Sequence, residues 1–283
     1  MAKLYLVGTP IGNLGDLSAR ALQTLQEVQC IAAEDTRVTR KLLTHFNVRT
    51  PIISYHEHNQ QTQGAHIVSR IQSGENIALV SDAGMPCISD PGEHLVTLCA
   101  AGSVEVVVVP GPSAVVSALA LSGLDTSRFC FEGFLSTNNA ARKQHLSELR
   151  AEVRTMVFYE APHKLLATLR DFLHAFGDRP LTLCRELTKL HEESIRTTLA
   201  QAIAYYTLTS PRGEFVLVLQ GAPPAQEPPP SMQDAVELVL ALSAQGHPLS
   251  YAAREIASLT GLGKRDLYKA ALTRASSDDK SPL

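Results

Sequence analysis

Short apolar runs at residues 3–7, 28–33, 51–54, 76–81 and 104–109 alternate with helical patterns near 16–26, 36–46, 59–73, 92–101 and 112–122. Apolar runs this short read as strands buried on both faces, and their regular alternation with helices predicts an α/β layer with a mostly parallel sheet. A second set of strands is expected at 129–134, 154–159, 180–186, 193–199 and 214–220, with helices near 139–150, 163–175 and 199–206. The shorter links there predict a mixed sheet. The fold class is therefore α/β, with one α/β domain over 1–122 and another over 123–222.

Beyond residue 222 the pattern changes. Residues 223–230 are dominated by proline and carry almost no apolar bulk, so they predict a stiff spacer. An amphipathic helix is expected over Met232–Ala244, a second over Tyr251–Leu259 with Ser250 as its cap, and a third over Lys264–Arg274 after the turn Thr260-Gly261-Leu262-Gly263. Residues 231–275 thus form a small all-α unit like a helix-turn-helix. The tail 276–283 is expected to be disordered.

Three of the apolar runs end in turns rich in Gly, Pro, Ser and Asp. Leu4–Val7 enters Gly8-Thr9-Pro10-Ile11-Gly12-Asn13-Leu14-Gly15-Asp16, Ile77–Val80 enters Ser81 to Gly92, and Val104–Val109 enters Pro110-Gly111-Pro112-Ser113-Ala114. Ligands of open α/β sheets dock at the carboxyl ends of strands, so three such turns predict one pocket. The glycines of the first turn are spaced Gly-x3-Gly-x2-Gly, which disfavours a dinucleotide fingerprint, and no Gly-x4-Gly-Lys-Ser/Thr phosphate loop is present.

Composition narrows the class further. With 45% hydrophobic residues a disordered or fibrous chain is excluded, and a formal net charge of −3 removes overall basicity as an argument for nucleic acid, leaving only local patches. The five scattered cysteines form no Cys-x-x-Cys pair and read as reduced packing residues. The N-terminal apolar run is too short for a signal peptide or membrane span, so a soluble cytoplasmic protein without membrane partners is expected.

The motifs in order are Gly-Thr-Pro-Ile-Gly-Asn-Leu-Gly-Asp at 8–16, Ala-Glu-Asp-Thr-Arg at 33–37, Ser-Asp-Ala-Gly-Met-Pro-Cys-Ile-Ser-Asp-Pro-Gly at 81–92, Pro-Gly-Pro-Ser-Ala at 110–114, Phe-Tyr-Glu-Ala-Pro-His at 158–163 and Arg-Glu-Leu-Thr-Lys at 185–189. The set resembles the tetrapyrrole-methylase-like class of methyltransferases, and within it the ribosomal RNA small subunit methyltransferase I group. The resemblance implies S-adenosylmethionine held in a cleft between two α/β domains, a homodimer, and 2′-O-methylation of a cytidine ribose in the decoding region of 16S rRNA, on the free RNA or the small ribosomal subunit. Carried over by position, it places Pro10, Asp82, Ala83, Gly84, Met85, Ile88, Ser113 and Ala114 around the cofactor. Phe158-Tyr159 and the Gly213-Glu214-Phe215 strand start, with Phe158 and Gly213 foremost, would supply the wall from the second domain, with core packing as the other reading of an aromatic residue at a strand end. The Gly-Asp-Pro turn of the cobalamin-pathway members is replaced here by Ala83-Gly84-Met85 after Asp82.

A ribose hydroxyl is a poor nucleophile, so a proton acceptor is sought among the carboxylates. Asp35, Glu160 and Glu186 are the catalytic candidates, within a wider set that includes Glu34, His56 and Glu57. Asp35 follows a buried strand and reads equally as a pocket residue or as a helix N-cap. Arg37, His56, Arg185 and Lys189 are candidate RNA contacts in the α/β part, as are Lys264, Arg265 and Lys269 in the helical unit, where a plain packing module is the alternative. His56 and His58 lack a third ligand at suitable spacing, so no metal is expected. Two competing functions stand beside the main one. Methylation of a precorrin-like tetrapyrrole would need an aromatic trough that a chain with 5% aromatics and no tryptophan supplies poorly. A DNA-binding regulator would need more phosphate neutralisation than a few basic residues on one short helix provide.

Overall fold

The computed structural model describes residues 1–223 and 231–278. Its first sheet is built from β1 (Lys3–Val7), β2 (Cys30–Ala33), β3 (Ile52–Ser54), β4 (Ile77–Val80) and β5 (Glu105–Val109), in the spatial order β3-β2-β4-β1-β5. Every pairing is parallel. Every residue of β2 and β4 is buried, which is why their sequences are continuously apolar. The crossovers are α1 (Ala19–Glu27), α2 (Thr36–His45), α3 (Gln60–Gln72) and α4 (Glu93–Ala101). The helix expected near residue 16 begins later: a single 3₁₀ turn at Leu14–Asp16 precedes α1, whose start is fixed by the Ser18 hydroxyl accepting from the Ala21 amide at 3.0 Å.

α5 (Ala114–Ser122) belongs to the first half by sequence but packs on the second. Its Val115, Ala118 and Leu119 form a cluster with Val157, Cys184, Leu187, Val216 and Val218. The second sheet runs β6 (Phe129–Phe134), β7 (Thr155–Glu160), β10 (Phe215–Leu219), β8 (Pro180–Arg185) and β9 (Glu193–Thr198) in space. It is mixed, with β6 and β7 parallel and the other pairs antiparallel. α6 (Asn139–Glu148), α7 (Pro162–Phe176) and α8 (Leu199–Leu208) cover its opposite face, where Phe158, Phe172 and Leu217 are fully buried. Residues 1–223 form one compact unit, and α5, entered from β5 of the first sheet, is the helix that packs on the second.

The second unit holds α9 (Met232–Ala244), α10 (Leu249–Thr260) and α11 (Lys264–Asp278) around a core that includes Val239, Ile256 and Leu267. Ser231 and Asp234 close a capping box on α9. Ser250 is not a cap: α10 starts two residues earlier than expected, at Leu249, because Pro248, with φ fixed at −58°, presents its carbonyl to the amides of Tyr251 and Ala252. Gly261, in the left-handed region at φ +72°, ends α10. α11 continues past the expected stop at Arg274 to Asp278, so the tail expected to be disordered from residue 276 starts within a helix. Its remainder at 279–283, and the expected spacer apart from Pro223, lie outside the described residues.

Among the described residues no helix is long and apolar enough to cross a membrane, and all five cysteines are free thiols. Phe172 is fully buried between the rings of Phe158 and Phe176, at centroid distances of 4.7 and 5.6 Å. Phe172→Ala is expected to cost about 3–5 kcal/mol, read as a lower midpoint in urea with an unchanged slope.

Candidate functional site

The three special turns follow β4, β1 and β5, which are neighbours in the sheet, so parallel pairing delivers their carboxyl ends side by side. The turns then bind one another through backbone. The Gly8 amide donates to the Val109 carbonyl at 3.1 Å, and Thr9 and Gly84 exchange two hydrogen bonds at 2.9 and 3.1 Å. A Cβ on Gly8 would lie 2.7 Å from the Gly111 Cα, so the first and third turns meet with no room for a side chain. The first turn also reaches the second half: a Cβ on Gly12 would lie 2.4 Å from the Lys189 Cγ.

Between these turns and the second sheet is a cavity of about 510 Å³. From the first half it is lined by Ile11, Asp82, Ala83, Gly84, Met85, Ile88, Asp90, Ser113 and Ala114, and from the second by Phe134, Tyr159, Leu187, Lys189, Glu214 and Val216. The second-half wall comes from the aligned ends of β7, β10 and β8, because Phe215 is in register with both Glu160 and Arg185. Volume and a mainly apolar lining with a few polar groups fit a nucleoside-sized ligand. Ser113 at the N-terminus of α5 makes no side-chain cap, which leaves first-turn amides at the cavity able to receive a carboxylate. Asp82, Asp90 and Glu214 add negative charge suited to a cationic ligand. A methionyl nucleoside with an ammonium, a sulfonium and a carboxylate matches this set.

The carboxylates around the cavity differ in basicity. Burial, then the negative charges of Glu34 and Asp82, push Asp90 up to about 6. Glu34 and Asp82 are also raised, each chiefly by burial and then by neighbouring acids. Asp35 goes the other way: its hydrogen bonds from the Arg37 side chain and amide hold it down at about 2. The two are linked, since the Asp35 amide donates to Asp82 Oδ1 at 3.0 Å. Tyr159 is raised to about 12 by burial, with the charge of Asp90 adding to it.

The structure brings together Asp82, Ala83, Gly84, Met85, Ile88, Ser113 and Ala114 on one cavity. Pro10 is not on the lining, and the adjacent Ile11 takes that place. Phe158 is a correction: fully buried, it faces α7, because alternation along β7 sends Val157 and Tyr159 to the cavity side and Met156 and Phe158 to the helix side. Gly213 is a second correction, being a turn residue at φ +81° packed on Glu186, with Glu214 lining the cavity in its stead.

Among the catalytic candidates, Asp35 serves as the N-cap of α2 and is paired to Arg37. Glu160 is buried, accepting from the Ala161 amide at 2.8 Å and from the Thr168 hydroxyl. Glu186 accepts from the Glu214 amide and from Lys189 at 2.9 and 3.0 Å, contacts that lower its pKa. All three are committed to structural partners, and Asp90 is the acid that sequence reading passed over. Its only signal was its place in Ser89-Asp90-Pro91, since the burial that raises it is made by residues distant in the chain.

Of the basic candidates, Lys189 lines the cavity and pairs with Glu186 and Glu214. Arg37 is exposed beside it at the start of α2. Arg185 pairs with Glu193 in a separate cleft with Tyr205 and Tyr206, on the α8 side of the sheet. The His56 Nδ1 is buried without a partner, near Glu34. Lys264, Arg265 and Lys269 are exposed on α11. Among the described residues no group of three or more His, Cys, Asp or Glu is placed to hold a metal.

Comparison with known proteins places these features in a family. Residues 3–203 match the family described as Tetrapyrrole (Corrin/Porphyrin) Methylases, and residues 231–275 match the RsmI C-terminal HTH domain. A relative from Synechocystis sp., named Ribosomal RNA small subunit methyltransferase I, is 52% identical over 96% of this chain and 98% of its own. A Thermotoga maritima relative of the same name is 48% identical over 221 residues, which are 78% of this chain and 99% of that one. The crystal structure of uroporphyrin-III-C-methyltransferase from Thermus thermophilus shares the fold at 18% identity, with a TM-score of 0.54 over 77% of this chain and 94% of that one.

Because Gly8 and Gly111 meet through backbone, Gly111→Ala is expected to part the turns without touching either hydrophobic core. Calorimetric titration should show S-adenosylmethionine affinity reduced by about tenfold or more, roughly 1.4 kcal/mol, while unfolding stays cooperative.

Proposed function

The chain belongs to the tetrapyrrole methylase family and, within it, to the ribosomal RNA small subunit methyltransferase I group, and on that premise we propose that it methylates the 2′-hydroxyl of a cytidine ribose in the decoding region of 16S rRNA. The carrying observation is the single cavity where three strand-end turns, a helix N-terminus and several carboxylates converge. When bound there, S-adenosylmethionine supplies a methyl group already activated by its sulfonium. Ser113 and Ala114 amides would receive the methionyl carboxylate, Asp82 and Glu214 would face positive charge, and Ile11, Leu187 and Val216 would enclose the apolar faces. Gly84, at φ +84°, lets the second turn's backbone come close to the ligand.

The chain's remaining task is to align the ribose oxygen and remove its proton, and positioning carries most of that work. Asp90 is the proton acceptor in this reading. It lines the cavity, and a pKa near 6 leaves it ionised yet more basic than an ordinary aspartate at neutral pH. The Asp90 carboxylate would take the hydroxyl proton as the ribose oxygen accepts the methyl group.

The second unit adds to the grip on RNA through Lys264, Arg265 and Lys269. The Thermotoga relative supports an accessory role for it, since its full length matches a stretch about as long as the first unit. A homodimer working in the cytoplasm completes the proposal, and exposed Val108 on β5 and Val116 on α5 are apolar surface available to a second copy.

The direct test incubates the chain with labelled S-adenosylmethionine and small ribosomal subunits, followed by nucleoside mapping of 16S rRNA. One 2′-O-methylcytidine should appear, and label found instead on a precorrin-type substrate would overturn the assignment. For Asp90, the rate should rise with pH through about 6 and level off above it, because the ionised form is the acceptor. Asp90→Asn should lower the plateau by about 10²–10⁴-fold and flatten the profile, a loss beyond any weakening of cofactor affinity from the removed charge, which a parallel titration measures.

A further inference from the structure

The outer face of α2 carries Arg37, Arg40, Lys41, Thr44 and His45, spaced i, i+3, i+4, i+7 and i+8, and all five are exposed. They line one shallow surface depression of about 500 Å³. The inner face is buried through Thr39 and Leu43. The ten residues of α2 include no acid, although the chain as a whole carries a formal net charge of −3. This is a local concentration of positive charge, set against the chain's own balance.

Where the stripe begins matters as much as its sign. Asp35 caps α2 and its amide holds Asp82 of the cavity lining at 3.0 Å, so the stripe starts at the edge of the candidate site and runs outward. At a rise of about 1.5 Å per residue, Arg37 to His45 extends roughly 12 Å. Arg37 is partly neutralised by its pairing with Asp35 at 2.6 Å. Arg40 and Lys41 form no ion pair among the described residues, so their charge is available. An exposed cationic row leading to a site complements a polyanion laid along it.

We infer that the outer face of α2 is the track that holds the sugar-phosphate backbone of the RNA substrate, with Arg40 and Lys41 as its principal phosphate contacts. This rests on the functional reading above and extends it. It also supplies an RNA contact inside the first unit, in keeping with the Thermotoga relative whose nearly full length matches 221 residues of this chain.

The test is Arg40→Glu/Lys41→Glu in the full chain, beside a charge-matched control, Arg128→Glu/Arg170→Glu, at exposed cations before β6 and on α7. Binding to a 16S rRNA transcript is measured over a range of salt concentrations, with S-adenosylmethionine titrated separately. The α2 variant should bind RNA about tenfold or more weakly at low salt, with a salt slope shallower by about 2, and the control should lose far less. Its affinity for S-adenosylmethionine and its melting temperature should match the unaltered chain. Equal losses in both variants would overturn the proposal. So would unchanged RNA binding with poor methylation of assembled subunits, which would assign the stripe to an acidic protein surface. Failure of the unaltered chain to methylate 16S rRNA would instead sink the functional reading, and that control is scored first.

Discussion

The site depends on backbone meeting backbone at the carboxyl edge of the first sheet. Gly8 against Gly111, and Thr9 paired with Gly84, hold three turns from distant parts of the chain as one surface. Parallel pairing of β4, β1 and β5 makes that meeting possible, but does not complete it. A side chain at Gly8 or Gly111 would separate the turns, and the cavity between the two halves would lose its first wall. The second wall is tied to the same point, because α5 starts at the third turn and packs its apolar face on the second sheet. Cofactor geometry and interdomain geometry are therefore one constraint.

Electrostatics at the cavity follows from that packing. Glu34, Asp82 and Asp90 are drawn close together and partly away from water, so each is harder to ionise than in solution. Such a group of acids attracts a cation and holds it less well once the positive charge is gone. A transfer that converts a sulfonium to a neutral thioether therefore weakens this hold at the step where the product must leave. Asp35 adds its charge to this group yet stays ionised itself, because its hydrogen bonds from Arg37 at the start of α2 lower its own pKa.

Much of this was legible in the order of residues. The apolar runs gave all ten strands to within about two residues at each end, since buried parallel strands and helix crossovers leave different periodicities. The three turns were legible as one pocket because Gly and Pro clusters after strands have few other uses. What stayed hidden was whatever depends on burial from afar. Phe158 and Tyr159 are equally plausible from sequence, and only the direction of pleating on β7 decides that Tyr159 faces the cavity. Asp90 drew no notice within its turn, Glu160 and Glu186 looked free until their partners at Thr168 and Lys189 were in place, and of the two even readings of Asp35 the structure takes the N-cap, paired with Arg37. The early start of α10 was missed because the fixed φ of Pro248 outweighed the capping preference of Ser250.

A methyltransferase acting on RNA must reconcile opposed charges, since a cationic donor calls for an acidic cavity while the polyanionic substrate is repelled by one. The chain meets this by separation over a short distance. Negative charge lies inward on the second turn, whereas Arg37, Arg40 and Lys41 lie outward on α2, with Asp35 between them. The net charge of the whole chain is close to balanced and says nothing of this division. At physiological salt, where screening acts over about 8 Å, charges outside the cavity influence a phosphate chiefly at close range. A substrate laid along α2 would then meet the cations directly while its ribose alone enters the acidic interior, so local placement, more than overall basicity, lets one small α/β unit hold both reactants.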